Sequence, residues 1–536
     1  MSGRRNFAGL SLENDTIYAL SSAQGRAGIA VIRISGPACA DIYKGLCPSK
    51  PIPKPRHAVV RTLLNPLSGD GSDILDSSAL VLFFPAPQTV TGEDVLELHV
   101  HGGPATVKAV LTAVPKCRSS NGAIRYAEPG EFTKRAFMND RLDLGQVEAL
   151  SDTLAAETEG QRRAAVRGNS GNLGKTYEAW RQQLLLARGE IEALIDFSED
   201  QHFDESPTEL LSNVKKLVEE MLHAIHLYEM ASQRSELLRN GIRIALLGPP
   251  NAGKSSLMNL IVGREASIVS HEAGTTRDIV EASLDIRGYL CSFADTAGFR
   301  SKDEPAPSAA RLEGGSVSSA AISAIEEEGI RRAKQKALDS DVIIVLASVE
   351  PAAEGRFRIN YDPETLRLAA NAQQHFVVIN KCDRTSADQL ALLIEQFRLS
   401  ALQPLGAISG AELLTISCKE AEASAVGLKD PGWIHSLISR LVQSFSSMTS
   451  LPSDMQDLLG VTVRQRQLLV ECRLHLEAFL REATAATENR GEPDIVLAAE
   501  HLRFAATCLA RITGRGESGD VEEVLGVIFE KFCVGK

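Results

Sequence analysis

The chain has 536 residues, 44% of them hydrophobic and 24% charged, with 69 acidic against 57 basic side chains and a net charge of −12. That length exceeds one hydrophobic core and leads us to expect about three domains, while the acidic balance excludes whole-surface attraction to nucleic acid and leaves any RNA contact to a local patch. No apolar run approaches the roughly 18 residues of a membrane span, and nine single cysteines without a CxxC pair argue against a disulfide framework or a four-cysteine zinc site and for a reducing compartment.

In chain order, TIYALSS, GIAVIRISG, SALVLFF and DVLELHVHGG read as strands punctuated by Gly and Pro. From about Leu142 to Arg239 the pattern turns helical, with LLLARGEIEALIDF carrying apolar residues at three-to-four spacing. RIALLG, CSFADTAG, VIIVLAS, HFVVINK and LLTIS then appear as short β-rich runs separated by helix-length stretches, as a parallel sheet with crossover helices requires. After about Ser450 the helical period returns, and Ile495, Ala498, Leu502, Ala505, Leu509 and Ile512 form one stripe stopped by Gly514. An α/β domain therefore interrupts a helical one.

That α/β insert opens on RIALLGPPNAGKSSLMNLI, which places Gly248, Gly253, Lys254 and Ser255 in a G-x-x-x-x-G-K-S pattern between strand and helix. Residues Asn251, Ala252, Gly253, Lys254, Ser255 and Ser256 would wrap backbone N–H groups around a triphosphate, Lys254 neutralising charge and Ser255 ligating Mg²⁺. Downstream, DTAG (Asp295, Thr296, Ala297, Gly298) follows a strand and suits water-mediated Mg²⁺ binding and γ-phosphate sensing. NKCD (Asn380, Lys381, Cys382, Asp383) selects the base: an ionised Asp383 only accepts hydrogen bonds, matching the two donors on the guanine edge and not the acceptor of adenine. Ser417, Cys418 and Lys419 suit the loop that backs the base. In GTTRD, Thr275 and Thr276 fall where a switch segment belongs, with Thr276 the second Mg²⁺ hydroxyl. Phe299 follows DTAG, where a Ras-type enzyme has a water-orienting Gln, so something else must position the attacking water.

Taken together, NDTIYALSSAQGRAGIAVIRISG, TGEDVLELHVHGGP, PGEFTKRAFMNDRLDLGQVEAL, GPPNAGKSSLMN, GTTRD, EEEGIRRA and the terminal FCVGK resemble the MnmE (TrmE) family of tRNA modification GTPases over nearly the whole chain. The resemblance implies a multidomain α/β and α fold: an N-terminal α+β folate-binding and dimerisation domain (14–138), a discontinuous helical domain (139–239 and 451–536, ending in a CxGK motif), and an inserted Ras-like P-loop GTPase domain (240–450). It implies a homodimer that works with an FAD-dependent MnmG-type partner on tRNA. The pair would install an aminomethyl-type group at carbon 5 of the wobble uridine, using 5-formyltetrahydrofolate or another tetrahydrofolate one-carbon donor.

The resemblance also answers the Phe299 problem. K⁺, with GTP and Mg²⁺, would pair the G domains and supply charge at the transition state, held by Asn251, Ser270, Glu272 and Thr275; the alternative for Asn251 is a plain turn residue. Glu326 aligns with the glutamate that holds the hydrolytic water, although Glu327 and Glu328 share the charged run. Residues 301–325 are longer than the family's loop and rich in Ser, Ala, Gly and Pro, as a flexible insert would be. Arg33, Glu97, Arg141 and Lys536 match the folate contacts, Arg141 replacing the usual Lys. A cation near Cys533 would favour its thiolate and make it a candidate participant in the modification chemistry. His99 and His101 share a strand face, but two imidazoles alone make a weak metal site, and no metal is expected there. The runner-up is an Era- or Der-like ribosome-assembly switch, which lacks the RISG, GEDVLE and CxGK elements. A mitochondrial matrix location is expected, with bacterial cytoplasm the alternative; Met1 to Glu13 are too short for a full presequence, and Arg4 and Arg5 in an acid-free start fit at most the remnant of one.

Overall fold

The computed structural model describes residues 15–68, 72–196, 207–264, 266–270, 282–294, 335, 338–352, 355–408, 412–423, 430–484, 494–515 and 535. The chain divides into two compact units. The first comprises Met1–Ala155, Ala165–Ser232 and Gly460–Lys536; the second comprises Ala156–Ala164 and Gln233–Leu459.

The first unit opens with β1 (Thr16–Leu20), β2 (Ile29–Ser35), α1 (Cys39–Leu46), β3 (Val59–Leu64), β4 (Ile74–Phe84), β5 (Val95–His101), α2 (Pro104–Ala113) and β6 (Ile124–Tyr126). These strands form a sheet in the order β3-β4-β5-β2-β1-β6, antiparallel except where β6 runs parallel to β1. Alternation along β2 decides its two faces. Ala30, Ile32 and Ile34 enter a core shared with Ile42 and Tyr43 of α1 and Val107 and Val110 of α2, and each large aliphatic side chain so buried contributes about 1.5–3 kcal/mol. Arg33 therefore points to the opposite face, in register with Ala19 of β1 and Glu97 of β5.

Helices complete this unit. α3 (Glu131–Met138) covers the far side of β1 through Phe132 against Ile17 and Ala19. Its Arg135 is almost fully buried and meets Asp15, Glu93 and Glu131. α4 (Leu144–Ala155), α5 (Glu159–Gly168), α6 (Asn172–Asp196) and α7 (Pro207–Asn240) follow, α5 and α7 each running across a unit boundary in the chain. Near the end of the chain, Leu502, Ala505, Leu509 and Ile512 are buried along one stripe, and the helix bearing them, Ile495–Thr513, stops at Gly514 in the left-handed region.

The second unit holds β7 (Ile242–Leu247), α8 (Lys254–Arg264), β8 (Ala266–Ser270), β9 (Ala282–Ile286), β10 (Tyr289–Ala294), β11 (Val342–Pro351), β12 (Phe357–Asn360), α9 (Pro363–Ala370), β13 (His375–Asn380), α10 (Ala387–Phe397), β14 (Leu413–Thr415) and α11 (Cys418–Glu422). Its eight-stranded sheet runs β14-β13-β11-β7-β10-β9-β8, with β12 on β11. β7, β10, β11, β13 and β14 are mutually parallel. The apolar run from Val342 to Val349 is buried throughout, as a central strand covered on both faces must be. β7 lies between β11 and β10, so the loop leaving its carboxyl end opens where neighbouring connections diverge, the usual ligand crevice of such sheets. None of the described helices is long and apolar enough to cross a membrane.

Candidate functional site

The loop from Gly248 to Gly253 joins β7 to α8, and its glycines are required by contact as well as by conformation. Gly248 has φ +145° and Gly253 φ +101°; a Cβ on the first would lie 2.2 Å from the Leu346 carbonyl oxygen, and on the second 2.2 Å from Asn380 Nδ2. Asn251 between them also has positive φ, 61°, a conformation Asn tolerates better than most residues. Lys254 Nζ donates to the carbonyls of Gly248 at 2.8 Å and Pro249 at 3.0 Å. The ammonium thus rests over the hollow of its own loop, where phosphate oxygens would replace carbonyls as acceptors. Ser255 and Ser256 occupy the first turn of α8, whose free N–H groups favour anions.

Asn380 ties three segments together. Its Nδ2 donates to Ala252 O at 2.8 Å, while its Oδ1 accepts from Lys381 N at 2.7 Å and Cys418 N at 3.2 Å. Asp383 Oδ1 accepts from Ser417 Oγ at 2.7 Å, which orients the carboxylate without using up its lone pairs. Ser417 also caps α11 by accepting from Glu420 N at 3.1 Å. Lys381 pairs with Glu350, and Arg384 reaches the same carboxylate at 2.6 Å. Burial pushes the Glu350 carboxyl up, but these cations, Lys381 foremost, leave it below its ordinary value. Burial raises the Cys418 thiol to about 11, so at neutral pH Cys418 serves through its backbone and not as a thiolate. Asn251, Gly253, Lys254, Ser255, Ser256, Asn380, Lys381, Asp383, Cys418 and Lys419 line one hollow of about 460 Å³, the size of small-ligand sites generally. Its donor set, with cations and N–H groups at one end and a carboxylate acceptor at the other, fits a purine nucleotide carrying phosphates. Glu272, Thr275, Thr276, Asp295, Thr296, Ala297, Gly298 and Glu326 lie outside the described residues. So does the side chain of Ser270, whose backbone ends β8.

The first unit carries a different constellation. Arg33 Nε donates to Glu97 Oε1 at 2.9 Å, the two side chains being 23% and 16% exposed. The terminal guanidinium nitrogens of Arg33 make no hydrogen bond among the described residues, which leaves a half-buried fork able to take a ligand carboxylate. Glu97 Oε2 meets His99 Nε2 at 3.3 Å, and His101 Nδ1 meets Asp76 at 2.9 Å. Arg141 Nε donates to Thr89 O at 3.0 Å. The loop bearing Thr89 hangs from β2, since Ser35 Oγ contacts Thr91 Oγ1 at 2.7 Å and donates to Glu93 at 2.8 Å. The far end of the chain arrives at the same sheet. Ser21 Oγ donates to Gly535 O at 2.8 Å, and Gly535, with φ +95°, sits so close that a Cβ would lie 2.2 Å from Leu20 O. Cys533 and Lys536 lie outside the described residues. Ser21 and Glu350 are contacts that the sequence reading misses; neither stands in a motif, and only the fold brings Ser21 to the tail or Glu350 to Lys381.

Comparison with known proteins agrees with this geometry. Residues 16–141 match the family model for the GTP-binding protein TrmE N-terminus, and residues 144–533 match the MnmE helical domain. The mitochondrial 5-taurinomethyluridine-[tRNA] synthase subunit GTPB3 of Danio rerio is 36% identical over 530 residues, covering 98% of this chain and 93% of that protein. The tRNA modification GTPase MnmE of Paramagnetospirillum magneticum is 40% identical over 525 residues, covering 98% of this chain and all (100%) of that protein. Among solved structures, the G domain of the T. maritima FeoB iron transporter aligns with 39% of this chain at 16% identity and a TM-score of 0.20, which adds no weight. The chain belongs to the MnmE (TrmE) family of tRNA modification GTPases.

Proposed function

We propose that this protein hydrolyses GTP as one component of a complex that installs an aminomethyl-type group at carbon 5 of the wobble uridine of tRNA, drawing one carbon from 5-formyltetrahydrofolate or a related tetrahydrofolate. The observation that carries the nucleotide part is the Asn380 junction, which binds the phosphate loop, the NKCD segment and the Ser417 loop into one hollow. The folate part is supported by Arg33 and Glu97 on one sheet face, with Gly535 of the terminal CxGK bound at the end of the neighbouring strand. Relatives named for tRNA modification and for 5-taurinomethyluridine synthesis support the reaction class.

In this reading Lys254 and the loop amides hold the phosphates, Ser255 and Thr276 hold Mg²⁺, and Asp295 senses the γ-phosphate through it. Asn251, with oxygens from Ser270, Glu272 and Thr275, would hold K⁺, whose charge would favour pairing of two G domains and stabilise the transition state. Glu326 orients the hydrolytic water. Arg33, Glu97, Arg141 and Lys536 grip the pterin and glutamate ends of the folate, and the Cys533 thiolate works beside the one-carbon unit. The functional protein is a homodimer that acts with an FAD-dependent MnmG-type partner. The domain limits 14–138, 139–239, 240–450 and 451–536 go with this assignment. A mitochondrial matrix location fits the GTPB3-type relatives, and a bacterial cytoplasmic one fits relatives of equal similarity.

An Era- or Der-like ribosome-assembly role would leave the Arg33, Glu97 and Gly535 arrangement without purpose. Two assays separate the readings: K⁺-stimulated GTP hydrolysis by the purified chain, and nucleoside mass spectrometry of tRNA from cells lacking it. Loss of the wobble-uridine modification is expected. A normal nucleoside profile with defective ribosomal subunits would favour the switch.

A further inference from the structure

The first unit has a hollow of its own, of about 580 Å³, on the helix side of its sheet. Tyr18 and Leu20 of β1 and Val107 and Leu111 of α2 line it, the turn from Ala23 to Ala27 closes one end, and Lys108 and Lys116 stand at its edge. Strand alternation separates it from the Arg33 and Glu97 face. Tyr18 belongs to the helix-side core, whereas Ala19 is the residue in register with Arg33. Tyr18 is stiffened by an edge-on contact with Tyr126, ring centroids 5.4 Å apart, and its hydroxyl makes no hydrogen bond among the described residues. The wall thus offers aliphatic surface and the edge of one phenol, Tyr18 being 7% exposed, against which the apolar face of a base can lie.

Charge marks the same place. Over residues 39–46 and 104–123 the charged side chains are Asp41, Lys44, Lys108, Lys116 and Arg118, four cations and one acid, in a chain whose net charge is −12. Asp41 is occupied by the N–H and hydroxyl of Ser120. All four cations are exposed and none makes an ion pair among the described residues. Lys44 stands on the same side of the fold, since a Cβ on the adjacent Gly45 would lie 2.8 Å from Cys117 Sγ and α1 therefore packs against the segment that bears Lys116 and Arg118. A small anion would use one such charge, but several exposed cations beside a pocket, two of them at its edge, suit successive phosphates of a polynucleotide.

We propose that this pocket seats one nucleotide of the tRNA, its base against Tyr18 and the aliphatic wall and its flanking phosphates on Lys108 and Lys116, with Lys44 and Arg118 extending the track. The inference rests on the tRNA reading above and adds where the RNA touches this chain. The seated base is a neighbour of the reacting uracil and not that base itself, because the sheet stands between it and Arg33. The position is nonetheless close to the chemistry proposed for the tail: the segment that walls the pocket with Leu20 and Ala23 also holds Gly535 through Ser21.

The test is a fluorescence-anisotropy titration of labelled, unmodified tRNA into the full-length protein across about 0.05–0.2 M salt. Lys108→Ala/Lys116→Ala is expected to weaken binding at least fivefold at about 0.1 M salt and to lower the slope of log Kd against log salt by about one per lysine. Leu111→Trp, which fills the pocket, should weaken binding roughly fivefold or more with the slope unchanged. Ala23→Trp, on the exposed turn, makes the same test from the mouth and does not depend on the core, and melting curves establish that each variant is folded. Wild-type affinity and slope in the lysine variant, or wild-type affinity in the folded tryptophan variants, would overturn the assignment while leaving the function standing. Failure of the wild-type chain to bind tRNA at all would overturn both.

Discussion

Ser21 Oγ donates a 2.8 Å hydrogen bond to the carbonyl of Gly535, joining positions 514 residues apart in the chain. One such bond contributes about 0.5–1.5 kcal/mol net, no more than the backbone entropy lost by ordering a single residue. The close fit of Gly535 over the Leu20 carbonyl must therefore supply part of the anchoring. Gly535→Ala puts a methyl group into that carbonyl and strains a positive φ, so it should release the tail. We expect the wobble modification to fall at least tenfold, with GTP hydrolysis unchanged. Cys533→Ser should produce the same division without releasing the tail. Nucleoside mass spectrometry and a phosphate-release assay read the two activities, and joint loss in either variant would mean that the tail is structural.

In the proposed GTPase reading base selection falls to Asp383, which Ser417 orients at 2.7 Å. Asp383→Asn replaces one acceptor by a donor, which opposes the guanine N2 amino group and suits the oxygen of xanthine. GTP affinity should fall by roughly a hundredfold, as for loss of one or two charge-assisted bonds, and hydrolysis should reappear with xanthosine triphosphate. A variant that binds GTP normally would show that another group reads the base.

Asn251 separates two readings because its φ of 61° suits a turn and its side chain suits a cation. Asn251→Gly keeps the backbone easy and removes the ligand. The variant should bind GTP at near wild-type affinity and lose K⁺ stimulation of hydrolysis. Full stimulation in Asn251→Gly would make Asn251 a turn residue only.

Arg135, 3% exposed, holds Asp15 at 2.6 Å and Glu93 and Glu131 each at 3.1 Å. Arg135→Ala leaves the buried Asp15 and Glu131 with Arg125 as their remaining cation and removes the partner of Glu93, at a cost of about 3–5 kcal/mol. Burial pushes the Glu131 carboxyl up, but Arg125 above all, then the Glu128 N–H and Arg135, hold it below its ordinary 4.5. A depressed carboxyl contributes stability that is complete above the unfolded value and disappears as pH falls through the folded value, so the wild-type protein should weaken only below about 4.5. In the variant the folded value rises and acid unfolding of this unit should begin at higher pH. Thermal melts across about pH 3–7 measure both effects, and an unchanged acid limb would remove the ion-pair explanation.

How much of this was legible depended on how local each signal is. The buried run from Val342 to Val349 and the Gly248 to Ser255 pattern announce a parallel strand and a phosphate loop because their physics is confined to neighbouring residues. The stripe ending at Gly514 is legible for the same reason. By contrast, α1 and α2 are short helices between strands, and β6 has three residues, too few to show a period. Asn380 could be assigned to the base loop from its motif, yet its bond to Ala252, 128 residues away, follows only from strand order. The Ser21 contact with Gly535 and the cation row beside Tyr18 likewise depend on long-range placement, which leaves no trace in spacing.

The proposed folate site draws on both ends of the chain, Arg33 and Glu97 from one and Lys536 from the other. Isothermal titration of 5-formyltetrahydrofolate into the full-length protein and into a chain truncated after Glu530 tests it directly. Saturable binding to the full-length chain and a loss of at least tenfold on truncation are expected, with Arg33→Ala equally impaired. Equal affinity for the full-length and truncated chains would contradict it.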